Sequence, residues 1–167
     1  LGVTKAPQPL PSLLLGAVDL APMEVAQVYN SLGNGGFHAP LKAVRAVLDA
    51  DGKPLERYQL KINRAADPSA IAQLTASMLQ VVDRGTARGA RRWLPAELGV
   101  AGKTGTSDDL RDSWFAGFTN DHVVVVWVGA DDNSPTGLSG ASGALPIWAR
   151  LVAGFGDLGY EALPAED

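Results

Sequence analysis

The chain has 167 residues, 46% of them hydrophobic, which suffices to bury the core of one ordinary domain. A net charge of −4 removes the basic footprint of a nucleic-acid-binding surface, and the absence of cysteine excludes disulfides and thiolate chemistry. The longest apolar run, Val123 to Val128, falls far short of the ~20 residues that span a bilayer, so no transmembrane helix is expected.

The opening Leu1-Gly2-Val3-Thr4-Lys5 lacks an initiator Met and a signal-type apolar stretch, and reads as a cut within a longer protein. Prolines around Leu13-Leu14-Leu15 then predict an irregular segment packed on a core. A helix follows from Pro22, with Val25, Val28, Tyr29 and Leu32 on one face, and Gly33 to Gly36 end it. Leu41 to Leu48 and Leu55 to Leu60 flank the turn-forming Asp49-Ala50-Asp51-Gly52, which predicts a peripheral hairpin. Asp67-Pro68 supplies an N-cap and a first-turn proline for a second helix. Its buried stripe is Ile71, Leu74, Met78, Val81 and Val82.

Arg84, Arg88, Arg91 and Arg92 read as a solvated short helix, with a cleft border for an anionic substrate as the alternative. From Val100 the pattern changes to three antiparallel strands, 100–106, 113–119 and 122–129, with Asn120-Asp121 as the loop between the last two. The unbroken Val123 to Val128 predicts burial on both faces. A last helix begins near Ala144 and covers the sheet with Leu145, Trp148, Leu151 and Val152, and the tail after Gly156 reads as a short, acidic, frayed end. The fold class is therefore α+β, a mainly antiparallel sheet covered by helices on both faces.

The stretch "VAGKTGTSDD" carries the chemistry. A phosphate-binding loop would need glycine where Glu97 stands and a helix after Lys103-Thr104, whereas strands follow, so a nucleotide site is rejected. On a strand, Thr104 and Thr106 share a face about 6.6 to 7 Å apart, while Lys103 projects from the other and Gly105 leaves the backbone open. Such an array suits a carboxylate held beside a reacting carbonyl.

Lys-Thr-Gly on a strand is one of three active-site motifs of serine β-lactamases and penicillin-binding proteins. Together with "GAVDLAPMEVAQVYNSLGNGG", "VVDRGTARG", "AGKTGTSDDLRDSWFAGF" and "VVVVWVGADDN", it makes nearly the whole chain resemble the transpeptidase domain of class A, bifunctional penicillin-binding proteins. The end, "NSPTGLSGASGALPIWARLV", is most similar to their 1b type. The resemblance implies a serine acyl-enzyme that cross-links peptidoglycan stem peptides ending in D-Ala-D-Ala and is acylated by β-lactams. By the same resemblance Lys103 sets the proton and charge state near the nucleophile. Thr104 and Thr106 bind the substrate carboxylate beside Gly105, and the Thr106 backbone N–H donates to the oxyanion.

No serine here is followed by lysine at the third position or by asparagine at the second, so the nucleophile is expected upstream, with the first two strands of the sheet. Residues 1–167 then form the C-terminal portion of one transpeptidase domain. That portion should be inactive alone and need its upstream part, expected as a companion chain, to cover an exposed sheet edge. The resemblance also implies an extracytoplasmic location at the bacterial inner membrane, with anchor and glycosyltransferase domain further upstream. A D,D-carboxypeptidase, a β-lactamase and a noncatalytic binding module remain the alternatives.

No cofactor or metal is expected, because Asp108, Asp109 and Asp112 lack further ligands at a defined spacing. His38 and His122 read as surface residues, and Trp114, Phe115, Trp127 and Trp148 as core.

Overall fold

The computed structural model describes residues 1–3, 7–16, 18–44, 46–57 and 59–155. A 3-10 turn at Pro11–Leu15 comes first. Its leucines do not pack as expected: Leu14 and Leu15 are 91% and 89% exposed. The turn closes on itself, with Gly16 at φ 81° donating its N–H to the Leu13 and Ser12 carbonyls, and neither core cluster reaches it.

Helix α1 (Pro22–Gly33) starts with the Glu24 carboxylate accepting the Ala21 N–H at 3.1 Å. Leu32 is buried and Tyr29 packs beside it, while Val25 and Val28 are half-buried. Two polar residues lie deeper than the expected valines. Gln27 donates to the Ala39 carbonyl at 3.0 Å and accepts the Leu41 N–H at 2.8 Å. Ser31 donates to the Leu1 and Gln27 carbonyls. These bonds tie the segments on either side of α1 to one of its faces. Gly36, at φ 91°, ends the helix with its N–H on the Ser31 carbonyl.

The strands β1 (Phe37–His38), β2 (Ala46–Leu48), β3 (Pro54–Arg57) and β4 (Asn63–Arg64) form two small pairs, β1 with β4 and β2 with β3. The β2–β3 hairpin is the expected one, shortened by a register shift between Val47 and Leu48. Its turn is held by Asp49, whose carboxylate accepts the Asp51 and Lys53 N–H groups. Val47, Leu48 and Leu55 are exposed, as the peripheral assignment implies.

Asp67 caps α2 (Pro68–Asp83) by accepting from Ser69 and Ala70 N–H at 2.9 and 3.2 Å. Ile71, Met78 and Val82 are its buried line. Leu74 lies about 60° round the helix from that line at 100° per residue, and is 43% exposed rather than buried.

The main sheet is β5 (Ala101–Thr106), β6 (Ser113–Phe118) and β7 (Val123–Val128), antiparallel and in that order. The register sets Ala101, Phe118 and Val123 on one face, and Thr104, Phe115 and Val126 on the other. Leu32 of α1 and Ile71 and Met78 of α2 cover the first face around Ala101 and Phe118. The second is covered by α3 (Ala144–Ala153), whose Trp148 ring meets Phe115 edge-on at 4.9 Å and donates its Nε1–H to the Val124 carbonyl. Helices thus lie on both faces, and the fold is α+β.

Three packing expectations need correction. β7 is half-buried rather than enclosed: Val124 and Val126 reach the α3 cluster and Val123 the α1 cluster, but the strand is outermost among the described strands. Leu151 is 47% exposed, because the buried line of α3 runs through Ala144, Leu145, Trp148, Ala149 and Val152, with Leu151 off its edge. His38 and His122 are half-buried, each with a buried Nδ1 that has no partner among the described residues, and Phe155 stacks on His122 at 4.7 Å.

Burial also pushes the Tyr29 hydroxyl up to about 12. An unfolded tyrosine titrates near ~10, so the folded state holds this proton more tightly. Stability from this group is therefore undiminished below pH ~10 and falls as pH rises toward about 12. Ultraviolet titration of tyrosinate should show a late step approaching pH about 12, and Tyr29→Phe should abolish it. Retention of that step in the variant would assign it elsewhere.

Candidate functional site

The site is built on the open edge of β5. The Ser107 N–H donates to the Asp112 carbonyl across the β5–β6 turn at 3.2 Å. By antiparallel alternation, residues 101, 103 and 105 then turn their peptide groups toward β6, and Gly102, Thr104 and Thr106 turn theirs outward. Side chains follow the expected parity. Lys103 and Gly105 share a face with Ala116 and Trp114, while Thr104 and Thr106 share the other with Phe115 and Ser113.

All four residues of Lys103-Thr104-Gly105-Thr106 therefore lie together, and each is committed differently. The exposed Lys103 ammonium reaches round the strand and donates to the Thr104 carbonyl at 2.9 Å. The Thr104 hydroxyl lies 2.6 Å from the Thr86 hydroxyl, which belongs to the segment just after α2. Thr106 Oγ1 accepts the Gly140 N–H at 2.9 Å.

Sequence reasoning gave no role to Thr86, Gly140 or Ser113, yet these residues hold the strand. Gly140 lies so close that a Cβ there would sit 2.6 Å from both the Gly105 and Trp114 carbonyl oxygens. Only glycine fits without moving backbone. The buried Ser113 hydroxyl donates to the Ser139 carbonyl at 2.8 Å and accepts the Ala144 N–H, at the start of α3, at 2.9 Å. The small-residue run Ser139-Gly140-Ala141-Ser142-Gly143 was the available signal: bulk is missing where backbone must approach backbone.

The rim is formed by the β5–β6 connection. The Asp112 carboxylate accepts from the Ser107 hydroxyl and from Trp127 Nε1–H, both at 2.9 Å. Asp109 pairs with Arg111 at 3.3 Å. Trp114 and Trp127, expected in the core, instead lie on the Lys103 side as a tilted pair 6.1 Å apart, with Trp127 39% exposed. The described part of that face is covered by α1 and α2 only at the Ala101 end.

The arginine run divides. Arg91 is structural, paired with Asp83 at 2.7 Å and donating to the Pro95 and Leu98 carbonyls. Arg88 and Arg92 border a shallow cavity of about 440 Å³ with Trp93, Leu145 and Pro146 on the α3 side.

The family model described as the penicillin binding protein transpeptidase domain matches residues 8–152. The chain belongs to this family. It is 45% identical over 148 residues to penicillin-binding protein 1B of Vibrio cholerae, covering 87% of this chain and 18% of the relative. It is 44% identical over 169 residues to penicillin-binding protein 1B of Escherichia coli, covering 100% of this chain and 20% of the relative. The chain thus spans about a fifth of the curated relatives it matches.

The crystal structure of penicillin-binding protein 1A from Haemophilus influenzae shares the fold, with a TM-score of 0.83 at 22% identity over 92% of this chain and 29% of that one. Penicillin-binding protein A of M. tuberculosis, an imipenem acyl-enzyme complex, aligns with a TM-score of 0.65 at 26% identity, covering 83% of this chain and 32% of that one. Among the described residues, no helix is long and apolar enough to cross a membrane.

Two substitutions test this scaffold. Ser113→Ala strands a buried N–H and leaves a carbonyl without its donor, and should lower unfolding free energy by about 1 to 3 kcal/mol in chemical denaturation. Gly140→Ala forces backbone movement against β5 and should cost a similar ~1 to 3 kcal/mol. An unchanged denaturation midpoint in either variant contradicts the packing described.

Proposed function

We propose that the chain supplies the substrate-binding strand of a peptidoglycan D,D-transpeptidase. The observation that carries this reading is the Lys103-Thr104-Gly105-Thr106 edge itself. It combines a strand with outward peptide groups, two hydroxyls on one side and a solvent-accessible ammonium at the same rim. In this reading a serine from a Ser-x-x-Lys motif upstream adds to the carbonyl of the penultimate D-Ala of a stem peptide. The C–N bond breaks and the terminal D-Ala leaves with the serine proton; an amine of a neighbouring stem then attacks the ester, forming an amide as the C–O bond breaks and giving a proton back to the serine.

Lys103 then holds positive charge and supplies a proton near the nucleophile. Thr104 and Thr106 donate to the terminal carboxylate of the donor peptide or of a β-lactam, which mimics that end. Gly105 keeps the strand open to the ligand's backbone, and the outward Thr106 N–H donates to the oxyanion of the tetrahedral intermediate. The acyl-enzyme named for the M. tuberculosis structure supports the covalent route.

Residues 1–167 act here as the C-terminal portion of one transpeptidase domain. The absent Ser-x-x-Lys and Ser-x-Asn motifs support this, as do the outer edge of β7, unpaired among the described residues, and the exposure of Leu14, Leu15 and Met23 at 91%, 89% and 68%. The upstream portion covers these surfaces and carries the membrane anchor, which sets the domain on the extracytoplasmic side of the bacterial inner membrane.

Intact mass after incubation with a penicillin tests the reading. The domain that joins this chain to its upstream portion should gain one acyl adduct, and the isolated 167-residue chain none. Lys103→Ala should slow acylation about 10²- to 10⁴-fold. A folded, complete domain that gains no adduct, or a Lys103→Ala variant acylated at the wild-type rate, refutes it.

A further inference from the structure

The two hydroxyls on β5 are each held by a partner from a different element. A threonine hydroxyl has one proton to donate and two lone pairs with which to accept. At Thr106 the assignment is settled, because a backbone amide has only its N–H to offer. Gly140 donates, Thr106 Oγ1 accepts, and the Thr106 proton stays available for another acceptor. At Thr104 the 2.6 Å contact joins two hydroxyls, so the proton can run either way.

We propose that Thr86 is a positioning residue that makes Thr104 a donor toward a bound carboxylate. The inference rests on the carboxylate-binding role given above to Thr104 and Thr106. An anion beside the pair accepts and cannot donate, so it selects the arrangement in which Thr86 O–H donates to Thr104 Oγ1 and Thr104 O–H points to the anion. Thr86 then does for Thr104 what the Gly140 N–H does for Thr106: it fills an acceptor site and leaves the proton free. The outcome is a pair of aligned donors from hydroxyls that would otherwise rotate.

The backbone around Thr86 is fixed by its neighbours. It follows Gly85, whose N–H closes the end of α2 on the Gln80 carbonyl, and it precedes Ala87, which is fully buried in the α3-side cluster. The backbone on both sides is thus anchored while the Thr86 side chain remains exposed. The scaffold thus sets the Thr86 backbone where its hydroxyl meets that of Thr104 at 2.6 Å.

The test uses the complete transpeptidase domain, this chain joined to its upstream portion, and follows acylation by intact mass with two probes, benzylpenicillin and its methyl ester. The two share a reactive ring, but only the first presents a carboxylate. Thr86→Val keeps shape and removes the donor. It should slow acylation by benzylpenicillin about five- to ten-fold and the ester reaction by less than about two-fold. Thr86→Ser, which restores a hydroxyl, should return the benzylpenicillin rate to within about two-fold of wild type. Equal slowing of both probes, or no slowing of either, overturns the proposal and leaves the transpeptidase reading intact. A folded wild-type domain that neither probe acylates overturns the transpeptidase reading, and this inference with it.

Discussion

The rest of the site depends on the contact between Gly140 and the backbones of β5 and β6. The loop carrying Gly140 approaches so closely that a Cβ would sit 2.6 Å from two carbonyl oxygens, leaving no room for side-chain adjustment. Ser113, buried directly beneath, joins the carbonyl at one end of that loop to the first amide of α3. Strand, loop and helix are thereby one unit, and the Thr106 hydroxyl is set by it through a single backbone donor. A side-chain donor would bring its own rotamers; a backbone N–H packed against two strands does not.

That rigidity matters because, among the described residues, β5 has a strand neighbour on one side only. An edge strand that shows outward N–H and C=O groups invites pairing with other chains, and proteins commonly blunt such edges with lysine. Lys103 performs this task with the same ammonium that the proposed chemistry requires. Meanwhile Gly102 and Gly105 keep the strand thin: a Cβ at Gly102 would meet the Phe115 ring at 2.6 Å and one at Gly105 the Trp114 Cβ at 3.0 Å. Packing beneath the strand therefore constrains Gly102 and Gly105.

Local signals in the sequence were legible where the physics is local. Asp67 as N-cap, the glycine stop of α1, the Asp49 turn and the order of β5, β6 and β7 all follow from short-range chemistry. Burial was legible only in part. Leu74 and Leu151 are apolar and on helices, but each lies just off a buried line that the opposing sheet defines. Val123 to Val128 reads as enclosed, yet in the described structure β7 has a neighbour on one side only. The candidate site divided in the same way. Lys103 to Thr106 drew notice through the Lys-Thr-Gly motif and the family resemblance around it, whereas Thr86 lies 18 residues from Thr104 and Gly140 34 residues from Thr106, distances over which spacing carries no geometric information.

The resting contact of Lys103 shows how a lysine can serve both an edge and a reaction. Its ammonium donates to the Thr104 carbonyl, one of the outward groups that a strand-like ligand would use. A carbonyl has two lone pairs and an ammonium three donors, so neither group is exhausted by this bond. In the transpeptidase reading proposed above, a ligand N–H would share the Thr104 oxygen while Lys103 kept its bond there and turned its remaining donors to the developing negative charge. In that reading the cation is held at the strand edge by one hydrogen bond rather than by a buried ion pair. This avoids the desolvation penalty that a fully buried lysine would impose on the fold.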